Sequence, residues 1–284
     1  MAIIIGLILA IMGAFALLTF GFFWYESANS AYRNRLQEMS KGHIGRLIFR
    51  GILSSLASQL MVVLCFSLQL WRSLWRPAQA PNQEKSPVFL VHGLYHNASA
   101  WILYRWWLKR AGCTDIYAFS YNSLTKGFDQ IHQRFDQWVE EIMTERHPGQ
   151  QALMIGHSLG GLIIRAHVSN PDAARRVAAV VTLGTPHQGS KLAALGISKL
   201  AWSLIYQGPL SQRLENLAPP QEIKRLAVVS PIDNMVLPHE ALRSRQAGWE
   251  YLETPPISHV SLLYHRSTAR KVLDFLRMSQ RRNW

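Results

Sequence analysis

Apolar residues are distributed unevenly along the chain, and the first run is the longest. Residues 2–24, AIIIGLILAIMGAFALLTFGFFW, carry no charge, and Thr19 is their one polar side chain. At about 1.5 Å per helical residue the run reaches about 34 Å, enough to cross a hydrocarbon layer of about 30 Å. No Lys or Arg precedes it, and it is longer than a signal-peptide core, so it predicts a retained membrane helix. Ala2, Gly6, Ala10 and Ala14 recur every four residues, a small-residue stripe on which another helix can pack closely. Residues 51–71, GILSSLASQLMVVLCFSLQLW, are also uncharged, but Ser54, Ser55, Ser58, Gln59, Ser67 and Gln69 dilute them. They predict a second span packed on the first, with a helix lying in the membrane surface as the rival. Trp24, Tyr25, Trp71 and Trp75 close the two runs at headgroup level. The loop between the runs holds Arg33, Arg35, Lys41, Arg46 and Arg50; Arg72, Arg76 and Lys85 follow the second run. The positive-inside rule then puts the loop in the cytoplasm and everything after residue 76 on the far side. For a bacterial inner membrane that side is the periplasm.

Residues 77–87, PAQAPNQEKSP, hold three prolines and read as a linker between a 1–76 membrane anchor and a domain over 88–284. Beyond it, short apolar runs alternate with longer amphipathic ones. VFLVH (88–92), DIYAFSYN (115–122), QALMIG (151–156), VAAVVTLG (177–184), RLAVVS (225–230) and WEYLET (249–254) predict strands. Helices are predicted over 98–112, about 128–147, 162–170 and about 261–280. Strands alternating with helices imply right-handed crossovers and a mostly parallel sheet of about six strands. Residues 190–220 interrupt the alternation with an apolar, irregular stretch. It reads either as small packing helices or as a cap or lid over a site.

Composition narrows the class. Hydrophobic residues make up 49% of the 284, which excludes a disordered chain. Two cysteines, Cys65 and Cys113, make neither a disulfide framework nor a metal spacing. A formal charge of +13 on a chain with membrane runs points to anionic headgroups, and no nucleic-acid recognition motif accompanies it.

The chemistry concentrates at strand ends. Gly156-His157-Ser158-Leu159-Gly160 lies between a predicted strand and helix, the G-x-S-x-G context of a nucleophile elbow. A serine hydroxyl needs an adjacent base to attack. His92-Gly93-Leu94 ends the first strand, which offers the amides of Leu94 and Leu159 as an oxyanion hole. Asp233 closes VVSPID and His259 follows the last strand, giving the order Ser, Asp, His. His239 and His265 are rival bases, and Glu240 and Glu253 rival acids. His92, His157 and His187 read as supports for their loops. These groups need no metal or organic cofactor.

Taken together, VHGL, GHSLGG, LGTPHQGS, SPIDNMVLP and SHVSLLYH resemble bacterial lipases and esterases of the α/β-hydrolase superfamily, the triacylglycerol lipase-like family. The resemblance covers about residues 86–284. It implies the α/β-hydrolase fold, Ser158 as nucleophile, Asp233 as acid, His259 as base, and esters carrying an acyl chain. It does not cover residues 1–85. Many secreted members carry a disulfide and a calcium site, and this sequence offers neither. The expectation is a membrane-anchored lipase, phospholipase or carboxylesterase, with an acyltransferase or thioesterase on the same triad as the alternative. Since no triad residue precedes position 77, removing residues 1–76 is expected to spare hydrolysis of small soluble esters.

Overall fold

In the computed structural model, which describes residues 2–77, 79–217 and 223–279, the six apolar runs are six strands. They are β1 (Val88–Val91), β2 (Ile116–Phe119), β3 (Ala152–His157), β4 (Val177–Leu183), β5 (Lys224–Val229) and β6 (Trp249–Glu253). They pair in the order β2-β1-β3-β4-β5-β6, every pair parallel. VFLV is buried at every position, as a strand covered on both faces must be.

Among the described residues, eleven α-helices accompany the sheet. The first four are α1 (Ala2–Ala28), α2 (Tyr32–Ser40), α3 (Ile44–Cys65) and α4 (Arg72–Trp75); α5 (Ile102–Arg110), α6 (Phe128–Glu145) and α7 (Leu159–Val168) follow. The last are α8 (Pro171–Arg175), α9 (Lys199–Ser203), α10 (Pro209–Asn216) and α11 (Arg266–Ser279). Phe128, Ile131, Phe135, Val139 and Met143 repeat at helical spacing and bury α6 on one sheet face beside α7. Tyr104 and Leu108 of α5 and Val272, Phe275 and Leu276 of α11 cover the other.

Two predicted helices begin differently. Asn97 accepts the Ser99 N–H at 2.8 Å, so the 98–112 segment opens as a 3₁₀ turn, Ala98–Trp101. The last segment is a 3₁₀ turn, Val260–Leu263, then a break before α11; residue 280 lies outside the described residues. The linker forms no regular element among its described residues, yet it is tied down. Asn82 N–H donates to Asp115 Oδ2 at 3.0 Å, and Lys85 Nζ to the Gly112 carbonyl at 3.0 Å.

Both long N-terminal runs are helices of a length and apolarity sufficient to cross a membrane. They pack antiparallel, with Gln59 Nε2 donating to the Met12 carbonyl at 3.4 Å. The seam on α1 is Met12, Ala16, Phe20 and Phe23, all buried. Gly6, Ala10 and Ala14 are exposed and take no part in it; the side chain of Ala2 lies outside the described residues. The helices also pack on the loops beyond β5. Phe20, Phe23, Leu36 and Leu47 form one buried cluster with Ile232 and Leu237, each large apolar side chain contributing about 1.5–3 kcal/mol.

This packing also sets the loop between the two runs against the loop after β5 and the end of β6. Tyr32 Oη of α2 donates to the Pro231 carbonyl at 2.8 Å, its ring stacks on His239, and Arg35 pairs with Glu253 at 3.0 Å. The loop between the two runs therefore touches the segments after β5 and at the end of β6. Helix α3 is held to that domain along its length: Leu47 on Ile232 and Leu237, Ser54 on Ser258, and the Phe66 carbonyl, one residue past its end, on Asn97 Nδ2 at 3.2 Å.

Candidate active site

The chain steps outward from β1 to β2 and then returns to pair β3 on the other side of β1. That reversal opens a crevice beyond the carboxyl ends of β1 and β3, the usual ligand position in open α/β sheets. Both glycine-marked motifs sit there.

After β1, His92 is fully buried and bonded on both ring nitrogens. The Tyr121 N–H donates to its Nε2 at 3.3 Å, so Nδ1 carries the proton and donates to the Gly93 carbonyl at 2.8 Å. Burial holds its pKa down at about 3, which keeps the ring neutral and able to accept. The Leu94 N–H that follows has no acceptor among the described residues. Gly93 closes over the elbow, where a side chain in its place would meet Ser158 Cβ at 2.9 Å.

After β3, Ser158 has φ 53° and ψ −122°, a strained conformation that lifts its side chain out of the strand line. The turn is fixed by Ser158 N–H on the Leu183 carbonyl at 2.9 Å and by Thr185 Oγ1 donating to the Ser158 carbonyl at 2.9 Å. The second residue after the serine must be bare, because a Cβ on Gly160 would meet the Val91 carbonyl oxygen at 2.0 Å. The Leu159 N–H opens α7 and has no acceptor among the described residues, so the helix presents a free donor beside the serine.

Asp233 and His259 arrive on the loops after β5 and β6. Asp233 is fully buried. Its Oδ1 accepts the N–H groups of Met235 at 2.9 Å and Val236 at 3.0 Å, and its Oδ2 lies 2.7 Å from His259 Nδ1. That leaves His259 Nε2 as the nitrogen available to a serine. The His259 ring rests against His157, the residue before Ser158, with centroids 4.8 Å apart. His157 Nε2 donates to the His259 carbonyl at 3.3 Å.

The rival groups are engaged elsewhere. His239 Nε2 donates to the Ser230 carbonyl, and His265 Nδ1 bonds Thr268 Oγ1 at the start of α11. Glu253 pairs with Arg35, and Glu240 accepts from Tyr206. His187 orders its loop from a buried site, accepting from Arg165 at 3.0 Å and bonding Thr182 at 3.2 Å. Arg165 and Asn234 were not singled out from sequence. Arg165 links α7 to Glu215 of α10 at 3.2 Å, and Asn234 Oδ1 accepts the His259 N–H at 3.1 Å. The 190–220 segment holds a 3₁₀ turn (Lys191–Leu195), α9 and α10; residues 218–220 lie outside the described residues. Tyr95 ties it to the oxyanion loop, its Oη accepting the Ile197 N–H at 3.0 Å. Leu195, Ile197 and Trp202 stand exposed beside it.

Burial lowers the pKa values of several histidines here: His92 to about 3, His96 to about 4, and His157 and His187 well below 6.5. Their folded values lie below the unfolded value, so the unfolded chain takes up protons first as pH falls. Each such histidine then contributes stability above pH 6.5 and loses about 1.4 kcal/mol of it per pH unit below that, until its folded pKa is reached. Thermal unfolding followed by tryptophan fluorescence is expected to give a Tm clearly lower at pH 5 than at pH 7.5. Equal Tm values would contradict neutral burial of these rings.

Comparison with known proteins agrees with this architecture. Residues 87–221 match the family described as palmitoyl protein thioesterase. No curated protein matches the sequence. A mature Bacillus licheniformis lipase superposes with TM-score 0.59 at 20% identity, covering 71% of this chain and 96% of the lipase. A Paleococcus ferrophilus monoacylglycerol lipase gives 0.55 at 16%, covering 71% and 98%. A bacterial membrane phospholipase A described as a virulence factor gives 0.55 at 12%, covering 84% and 98%. That last share exceeds the catalytic domain, so the likeness reaches into the N-terminal helices. The fold is that of the α/β-hydrolases, and the chain resembles bacterial lipases and esterases.

Proposed function

We propose that the protein is a membrane-bound serine hydrolase that cleaves carboxylic esters of lipids through an acyl-enzyme. The observation that carries this reading is the 2.7 Å bond between buried Asp233 and His259, beside a serine held in a strained elbow. Ser158 Oγ attacks the ester carbonyl while His259 Nε2 takes its proton. Asp233 holds the imidazole and stabilises the imidazolium. The unpaired amides of Leu94 and Leu159 receive the oxyanion. His259 then protonates the leaving alcohol and activates the water that releases the acid.

Residues 1–76 form the membrane anchor in this reading. Outward-facing Ile3, Leu7, Ile11, Leu18 and Phe22 of α1 and Leu53, Leu60 and Leu64 of α3 are exposed, an apolar surface too large for water alone. Leu195, Ile197 and Trp202 of the cap would enter the same leaflet. The α1–α3 layer then lies against the membrane, with the basic loop and the catalytic domain on one side of it.

A second reading is hydrolysis of acyl thioesters by the same groups, favoured by the match to palmitoyl protein thioesterases over residues 87–221. One experiment separates the two. Full-length protein in detergent is offered glycerolipid vesicles, long-chain p-nitrophenyl esters and an S-palmitoyl peptide of equal acyl length. Oxygen-ester turnover at least about tenfold above thioester turnover is expected. The reverse ratio supports the thioesterase, and no turnover of any substrate defeats both.

A further inference from the structure

The two N-terminal helices reach the residues that hold the acid and the base. Asn234 follows Asp233 and is buried. Its Oδ1 must face the His259 N–H, an obligate donor, so its Nδ2 points the other way and donates to Thr19 Oγ1 of α1 at 2.7 Å. Thr19 is buried and fully satisfied, because its own hydroxyl proton goes to the Phe15 carbonyl at 2.9 Å. From the other helix, Ser54 Oγ accepts the Ser258 N–H at 3.1 Å and bonds Ser261 Oγ at 2.8 Å. Ser261 Oγ in turn reaches the Ser54 carbonyl at 2.9 Å. Hydroxyls of the hairpin thus hold the Ser258 N–H and the Ser261 side chain directly, and the His259 N–H through the Asn234 amide.

We propose that Thr19 and Ser54 are positioning residues for the acid–base pair, so that the membrane hairpin is a working part of the active site. The inference rests on Asp233 and His259 serving as proposed above. A hydroxyl inside an apolar run is otherwise unneeded for insertion. Thr19 stands where α1 crosses the Asp233 loop, and its acceptor lone pair fixes the orientation of the Asn234 amide. Losing that acceptor frees the amide to turn and releases the His259 N–H, and misplacement of a catalytic group by about 1 Å can cost about 100-fold in rate.

The test compares Thr19→Val, which keeps the shape and removes the acceptor, with Thr19→Ser, which keeps the acceptor. Full-length enzymes in detergent are assayed on p-nitrophenyl butyrate, a soluble ester that needs no membrane. Rates are divided by active sites titrated with a fluorophosphonate, and Ser158→Ala runs alongside. Expected is a fall in kcat per titrated site of about 10- to 100-fold for Thr19→Val with KM changed less than twofold, and near-wild-type kcat for Thr19→Ser. Wild-type kcat per titrated site in Thr19→Val overturns the positioning role. If Ser158→Ala stays active, the underlying triad fails instead.

Discussion

Ser158→Ala is expected to abolish ester hydrolysis while leaving the fold and its Tm close to wild type. The side chain is small and partly exposed, and its own hydroxyl holds no other element in place, so its removal costs little packing. His259→Ala and Asp233→Ala are each expected to lower kcat by at least about 1,000-fold, and the double variant little further, because such groups act as a unit. Asp233→Asn is informative in a different way. Its amide presents a donor or an acceptor to His259 Nδ1 but no charge, which weakens the base and permits the wrong tautomer. The two loop amides that Asp233 Oδ1 accepts are retained in that variant, so the loss is chemical rather than structural. Steady-state rates on p-nitrophenyl butyrate, with Tm as the folding control, check all five variants.

Deleting residues 1–76 is expected to lower turnover of the same soluble ester by at least about tenfold per titrated site, beyond any loss on vesicles. The sequence alone gave the opposite expectation, since no triad residue lies there. The packing explains the reversal. The deletion uncovers Ile232 and Leu237 on either side of Asp233 and leaves the Asn234 amide without its acceptor. It also strips the Ser54 hydroxyl from the Ser258 backbone. Full-length turnover in the truncated protein would contradict this account. Should the truncated chain fail to fold, Ser54→Ala combined with Thr19→Val in the full chain asks the same question.

What the sequence disclosed follows the range of the forces involved. The strands were readable because a parallel sheet buries both faces, so VFLV and VAAVVTL appear as unbroken apolar runs. The elbow was readable because its glycines answer a local crowding: Gly160 has no room for a side chain against the end of β1. The proposed acid and base could be placed from chain order alone, since each follows a strand. Contacts between distant segments left no such trace. Thr19 and Asn234 are 215 positions apart, and each looks unremarkable in its own run. The serines of 51–71 lowered the apparent apolarity of a span, yet Ser54 and Ser58 both reach Ser258 of the domain. A period of three to four residues in those hydroxyls was the available signal for a helix with one wet, protein-facing side. The basic loop gave no sign of its own partners either: Tyr32 and Arg35 bind Pro231 and Glu253, about 200 positions away.

The central claim is that Ser158 is a nucleophile activated by His259 and Asp233. Full-length protein treated with a fluorophosphonate probe, digested and mapped by mass spectrometry tests it most directly. The account predicts stoichiometric modification of Ser158, loss of esterase activity in step with labelling, and labelling slowed at least about 1,000-fold in His259→Ala. Label on another residue, or an unlabelled Ser158 in an enzyme whose ester hydrolysis the probe has stopped, would contradict it.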